Sequence, residues 1–160
     1  MKIRKRLNIF LEWLVVILIA IMLFSVLWGV ATRYIFADQS SWTDELARFM
    51  LIWVSMVGAT YVAGKNEHIA IDLLPASMSE KKKIKMDIIA FVLIAVFVMA
   101  VFVIGGLRYV YISFHLGQTS AALGLPMGYV YSILPVCGVI IIYFKFLSIW
   151  EAKKLLKKPI

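Results

Sequence analysis

The chain has 160 residues, of which 63% are hydrophobic and only 16% charged. A soluble globule carries about 25% charge, so this composition excludes one and describes an all-α integral membrane protein. The formal net charge of +8 would suit nucleic acid, but the basic residues gather at the ends of apolar runs, and no nucleic-acid partner is expected. A single cysteine, Cys137, lies inside an apolar run, which rules out a disulfide framework or a clustered set of metal ligands.

Met1 to Arg6 is a basic arm carrying Lys2, Arg4, Lys5 and Arg6. Leu11 to Val30 follows, apolar except for Glu12 and Ser25. About twenty residues at ~1.5 Å each cross a hydrocarbon core of about 30 Å. A first span is therefore predicted over about residues 11–32. A basic head before an apolar run also describes a signal peptide. The run is too long for an h-region, however, and no small-x-small site follows it cleanly, so it is expected to be retained.

Arg33 to Thr43 is a short polar connection. Ser41, three residues before Asp44, fits a helix start, because a hydroxyl accepts from an unpaired backbone N–H and a carboxylate suits the positive end of the helix dipole. A second span is predicted over about 43–63, with Arg48 snorkelling or paired and Gly64 as the C-cap. Lys65 to Lys85 is the longest polar segment. It contains a small amphipathic piece, Ile69 to Leu74, stopped by Pro75, and Ser79-Glu80 resembles a helix start. A third span is predicted over about 84–108. Arg108 to Leu125 is then a connection rich in glycine and serine. Pro126 suits the first residue of a fourth helix, predicted over about 127–149, which Pro135 should kink.

The chain thus forms a single membrane domain, 1–160, with four transmembrane helices. Of its 17 basic residues, 14 fall on the N-terminal arm, the Lys65–Lys85 segment and the C-terminal end. Arg33, Arg48 and Arg108 are left for the other side. This bias predicts that both termini are cytoplasmic. Trp13 and Trp150 should then anchor the cytoplasmic interface, and Trp28 and Trp42 the outer one, in contact with membrane lipid.

Catalysis needs convergent polar groups, and none is visible. No nucleophile–base arrangement, phosphate-cradling loop or zinc spacing occurs, and the chain is not expected to be an enzyme. His68 and His115 are predicted on opposite sides of the membrane, so they do not share a haem or metal, and no cofactor is expected. That counts against a membrane anchor of a redox enzyme. No charge falls at the middle of a span. Glu12 sits one turn inside the first span, where a small four-span exporter would use it for proton-coupled exchange; an edge glutamate beside a basic arm is more often simply solvated.

The second helix carries the clearest pattern. Asp44 and Glu45 lie four and three residues before Arg48, so either carboxylate reaches the guanidinium on one face. That face continues through Ile52, Ser55, Ala59 and Val62. Small residues at four-residue spacing let another helix approach closely, where dispersion holds spans together. The neighbour is either a span of the same chain or one of another subunit. The Gly117–Gly128 connection is either a rigid docking edge or only a loop.

Several fragments resemble one family, the small membrane subunit (Q type) of tripartite ATP-independent periplasmic (TRAP) transporters. They are Arg33-Tyr34-x-Phe36, Trp42-x-x-Glu45-Leu46-Ala47-Arg48, Trp53, Gly58-Ala59 and His68-Ile69-x-x-Asp72. Gln118-Thr119, Leu123-Gly124-Leu125-Pro126 and Pro135 complete the likeness. Asp44-Glu45 stands where the pattern often has two glutamates, which keeps the charge.

The resemblance implies a subunit without an active site, paired with a larger membrane subunit (M type) that binds substrate and sodium and moves as an elevator. It also implies a periplasmic substrate-binding protein that delivers a carboxylate-bearing solute, such as a dicarboxylate or a sialic acid, to the outer face. Arg33, Gln118 and Thr119 are candidates for that docking face. The expected place is the bacterial inner membrane.

Overall fold

Why the first two helices lie side by side is visible in the spacing of the first. The computed structural model describes residues 2–35, 40–65 and 80–156. Helix α1 (Lys2–Ile35) buries Leu11, Leu18, Ser25 and Thr32, one residue in every seven. A seven-residue repeat keeps a narrow seam facing one partner along the whole rod. That partner is α2 (Ser41–Lys65).

In lipid the apolar surface of the spans supplies no drive to associate, so close approach and hydrogen bonds must do so. Ser25 Oγ donates to the Thr43 carbonyl at 2.8 Å. One turn on, a methyl group on Gly29 would stand 2.7 Å from Thr43 Oγ1, which only glycine avoids. Helix α1 is longer at both ends than predicted, because nothing between Lys2 and Ile35 breaks a helix.

The third stretch is one continuous rod. It comprises α3 (Glu80–Val98), a π-helical segment (Met99–Gly105) and α4 (Gly106–His115). The predicted connection from Arg108 therefore begins later, at Leu116. Aromatic side chains hold the extra turns against the last helices: Tyr109 meets Tyr131 at 4.6 Å and Phe114 meets Tyr129 at 5.1 Å between ring centres. The rod ends at Gly117, whose φ of 59° no β-carbon favours. There the Gly117 N–H donates to Phe114 and the Gln118 N–H to Ser113, satisfying the last carbonyls.

Helix α5 (Met127–Tyr131) and α6 (Ile133–Leu156) make up the fourth span, with Pro126 just before it as the N-cap. The expected kink is a break at Ser132. Pro135 has no N–H for the Tyr131 carbonyl, and the next bond, Val136 to Ser132, is stretched to 3.4 Å. Gly106 and Gly138 let the third and fourth spans touch. A β-carbon at Gly106 would lie 3.0 Å from Pro135, and one at Gly138 3.0 Å from Val103.

Among the described residues, four stretches are long and apolar enough to cross a membrane: Arg4–Ile35, Ser41–Lys65, Lys81–His115 and Met127–Leu156. They form a row rather than a closed bundle. The first span packs on the second, the second on the fourth, and the fourth on the third. Accordingly 39% of the fourth span's apolar window is buried, against 11% for the first and the third. The core is Leu11, Leu18, Val57, Ile133, Cys137 and Phe144.

The start of α1 and the ends of α2 and α6 meet at Arg4. Its Nε donates to the Gly64 carbonyl at 2.9 Å, and its Nη1 pairs with Glu151 at 3.2 Å. Gly64 is therefore not the C-cap it was expected to be. It lies buried within α2, where a β-carbon would come 2.9 Å from the Phe144 ring. This terminal end lies opposite the loop end, where residues 116–126 connect the third and fourth spans. The expectations for Phe36, His68, the Ile69–Leu74 piece, Asp72, Pro75 and Ser79 fall outside the described residues.

Candidate functional site

At the loop end, the first turn of α2 brings Glu45 up to the 116–126 connection. Its carboxylate accepts three successive backbone N–H groups, from Ala121 at 3.1 Å, Ala122 at 2.8 Å and Leu123 at 3.0 Å. Successive amides turned the same way form a concave anion site, and here a side chain of the same protein fills it.

The loop is shaped to present those amides. The Ser120 N–H donates to the Leu125 carbonyl at 2.8 Å, and Met127 donates to Gln118 at 2.9 Å. Thr119 and Pro126 form an isolated antiparallel bridge. Gly124, at φ 64°, turns the chain between them, and its N–H reaches the Ser120 carbonyl. A further long-range bond, from Trp53 Nε1 to the Val130 carbonyl at 3.0 Å, joins α2 to α5 just below.

Glu45 turns to the loop and not to Arg48. At the far end, Arg4 and Glu151 form an ion pair at 3.2 Å. Ser41, Asp44, Glu45 and Arg48 line a cleft of about 480 Å³, closed on its other side by Ala121 and Ala122.

Farther along α2, the predicted stripe divides. Ile52 is half-buried and packs against the core. Ser55, Ala59 and Val62 are exposed, Val62 by 56%, so the other spans of this chain do not cover them. The Ser55 hydroxyl donates back to the Leu51 carbonyl at 2.8 Å. An apolar neighbour can therefore cover this stripe without stranding a polar group.

The anchor residues Trp13, Trp28, Trp42 and Trp150 are all exposed. Phe24 stacks on Trp28, and Lys154 Nζ stands 3.9 Å over the Trp150 ring. The docking candidates Arg33, Gln118 and Thr119 are exposed as well. Glu12 is exposed and lines a separate cavity near the terminal end, beside Arg4 and Lys5. His115 stacks on Tyr111, and no group of His, Cys, Asp or Glu among the described residues is arranged to hold a metal ion.

Sequence reasoning missed three roles: the loop partner of Glu45, the Trp53 bond, and the Arg4 clamp. It also passed over Asp87, two turns into α3 and only 5% exposed. The clamp had one legible signal, since Arg4 stands seven residues before Leu11 in the α1 seam.

A row of four apolar spans describes a multi-pass membrane protein. Residues 22–154 match the family described as tripartite ATP-independent periplasmic transporters, DctQ component, and the chain belongs to that family. It is 26% identical to the sialic acid TRAP transporter small permease protein SiaQ of Vibrio cholerae, over 96% of this chain and 87% of that one. It is 28% identical to the C4-dicarboxylate TRAP transporter small permease protein DctQ of Rhodobacter capsulatus, over 68% of this chain and 47% of that one. The sialic acid TRAP transporter permease protein SiaT of Haemophilus influenzae matches at 29% identity, over 74% of this chain but only 19% of its own length. Together these make the chain a multi-pass transporter subunit of the bacterial inner membrane.

Proposed function

We propose that this chain is the stationary small subunit of a TRAP-type secondary transporter. It braces a large membrane subunit (M type) that carries the solute. The observation that carries this reading is the open stripe Ser55, Ala59 and Val62 on α2, continued at the loop end by Arg48. Small side chains with no unmet polar group suit a close helix neighbour. The relative SiaT supports a large partner, because the matching region is a fifth of one longer permease chain.

The row of spans suits a brace. A wall one helix thick offers a broad face to the neighbour, while tryptophans at both levels resist drift in the bilayer. Both termini lie in the cytoplasm, following the basic residues. The loop end faces the periplasm and receives a soluble binding protein there, with Arg33, Gln118 and Thr119 at the contact. The solute carries a carboxylate, as sialic acid and C4-dicarboxylates do, and a sodium gradient drives uptake. The chain has no catalytic role.

Reconstitution tests this reading. Liposomes containing this chain with the large subunit and binding protein should take up acid solute only with an inward sodium gradient. Liposomes containing this chain alone should take up none, and uptake by the chain alone would overturn the proposal. Glu12→Gln should leave uptake by the full system nearly intact, whereas an exporter working through Glu12 would lose transport.

A further inference from the structure

The terminal end holds a second cavity, of about 360 Å³, between the start of α1 and the end of α2. Arg4, Lys5 and Lys65 make its basic wall, and Ile9 and Tyr61 its apolar one. Glu12 and Glu151 also line it; Glu151 is tied to Arg4, and the three basic residues outnumber the two carboxylates. The Arg4 guanidinium is only partly used. Nε serves Gly64 and Nη1 serves Glu151, while Nη2 is buried with no acceptor. Asn8, on the same cavity wall, has a buried Oδ1 with no donor. A half-turn of its amide exchanges that oxygen for an N–H donor. An unmet buried donor costs more than a hydrogen bond contributes, so the site lacks an oxygen acceptor.

We propose that this cavity binds the phosphodiester headgroup of a membrane phospholipid. Arg4 Nη2, Lys5, Lys65 and the turned Asn8 amide surround the phosphate. The acyl chains descend along Ile9, Trp13 and Val16, an exposed apolar strip on one face of α1. A free inorganic phosphate meets the same donors but gains nothing from that strip, and the lipid is therefore the occupant. The end of the molecule is suited to it, because basic residues at the start of α1, the end of α2, the start of α3 and the end of α6 gather there. This inference concerns the chain's own spans and does not depend on the transport reading.

The test uses the full chain purified in non-ionic detergent, with binding followed by native mass spectrometry. Phosphatidylglycerol, dioleoylglycerol and inorganic phosphate are added in turn. One phosphatidylglycerol should remain bound, and neither of the other two should displace it. Lys5→Gln with Lys65→Gln leaves both bonds of Arg4 in place, and should weaken phospholipid binding by about thirtyfold, roughly fivefold per surface charge. Arg4→Gln should weaken it further, with circular dichroism checking that the helices remain. The proposal is overturned if the double variant binds phospholipid as tightly as the wild type. It is equally overturned if dioleoylglycerol binds as well, or if inorganic phosphate displaces the lipid.

Discussion

At the loop end one carboxylate accepts from three backbone amides; at the terminal end one guanidinium donates to a backbone carbonyl and to a carboxylate. Glu45 holds a loop whose contributing residues are alanine, alanine and leucine, so only the backbone of that loop is engaged. Arg4 holds two helices through a glycine and a specific side chain, Glu151. The loop end therefore tolerates changes of side chain in the loop but depends on one acidic residue. The terminal end depends on a close approach that a single methyl group would obstruct.

The largest effect is expected from Gly64→Leu. The new side chain would enter the space of Asn8 and the Phe144 ring, and overpacking of this kind costs about 1–3 kcal/mol or more. Thermal unfolding in detergent should show a lower midpoint, or no folded protein at all. Next comes Arg4→Ala, which takes the side-chain donor from the buried Gly64 carbonyl and should cost about 1–3 kcal/mol, Glu151 being exposed enough to turn to water. Glu151→Gln keeps an acceptor in place and should cost no more than about 1 kcal/mol, because the pair is partly exposed.

Glu45→Ala should leave the unfolding midpoint nearly unchanged but free the loop. Amide exchange at Ala121, Ala122 and Leu123 should quicken by about tenfold or more, since an amide without its acceptor is open to water. Glu45→Gln should fall between, and Ala121→Ser should change nothing. Equal exchange in Glu45→Ala and wild type would show that the loop holds its own shape. The smallest effect on the isolated chain is expected from Ala59→Leu, within about 0.5 kcal/mol, because the site is exposed. The same variant should lose co-purification with the large subunit, and full retention would move the interface elsewhere.

Much of the fold was legible because hydropathy and punctuation are local. Four apolar runs, the start of α2 at Ser41 and the break before Pro135 follow from residues a few positions apart. What escaped depends on distant residues. Glu45 and Ala121 are 76 positions apart, and the nearer Arg48 was an equally reasonable partner on helical spacing. Gly64 has the composition of a cap and the job of a contact, a distinction made by Phe144. The late end of the third span was signalled only by Gly117, one of several glycines in that connection. The row arrangement is not encoded in any single span, since exposed apolar faces in lipid look like buried ones.

The π-helical segment in the third span has a consequence for tolerated changes of length. Its wide turn shifts the phase of everything after it relative to Glu80–Val98. Inserting one further residue between Met99 and Gly105 would swing the following half by about 100°. Tyr109 and Phe114 would then face away from Tyr131 and Tyr129, while a conservative exchange at the same positions would leave the rotation alone. The segment works as a phase adjuster, and what it specifies is the number of residues, not their identity.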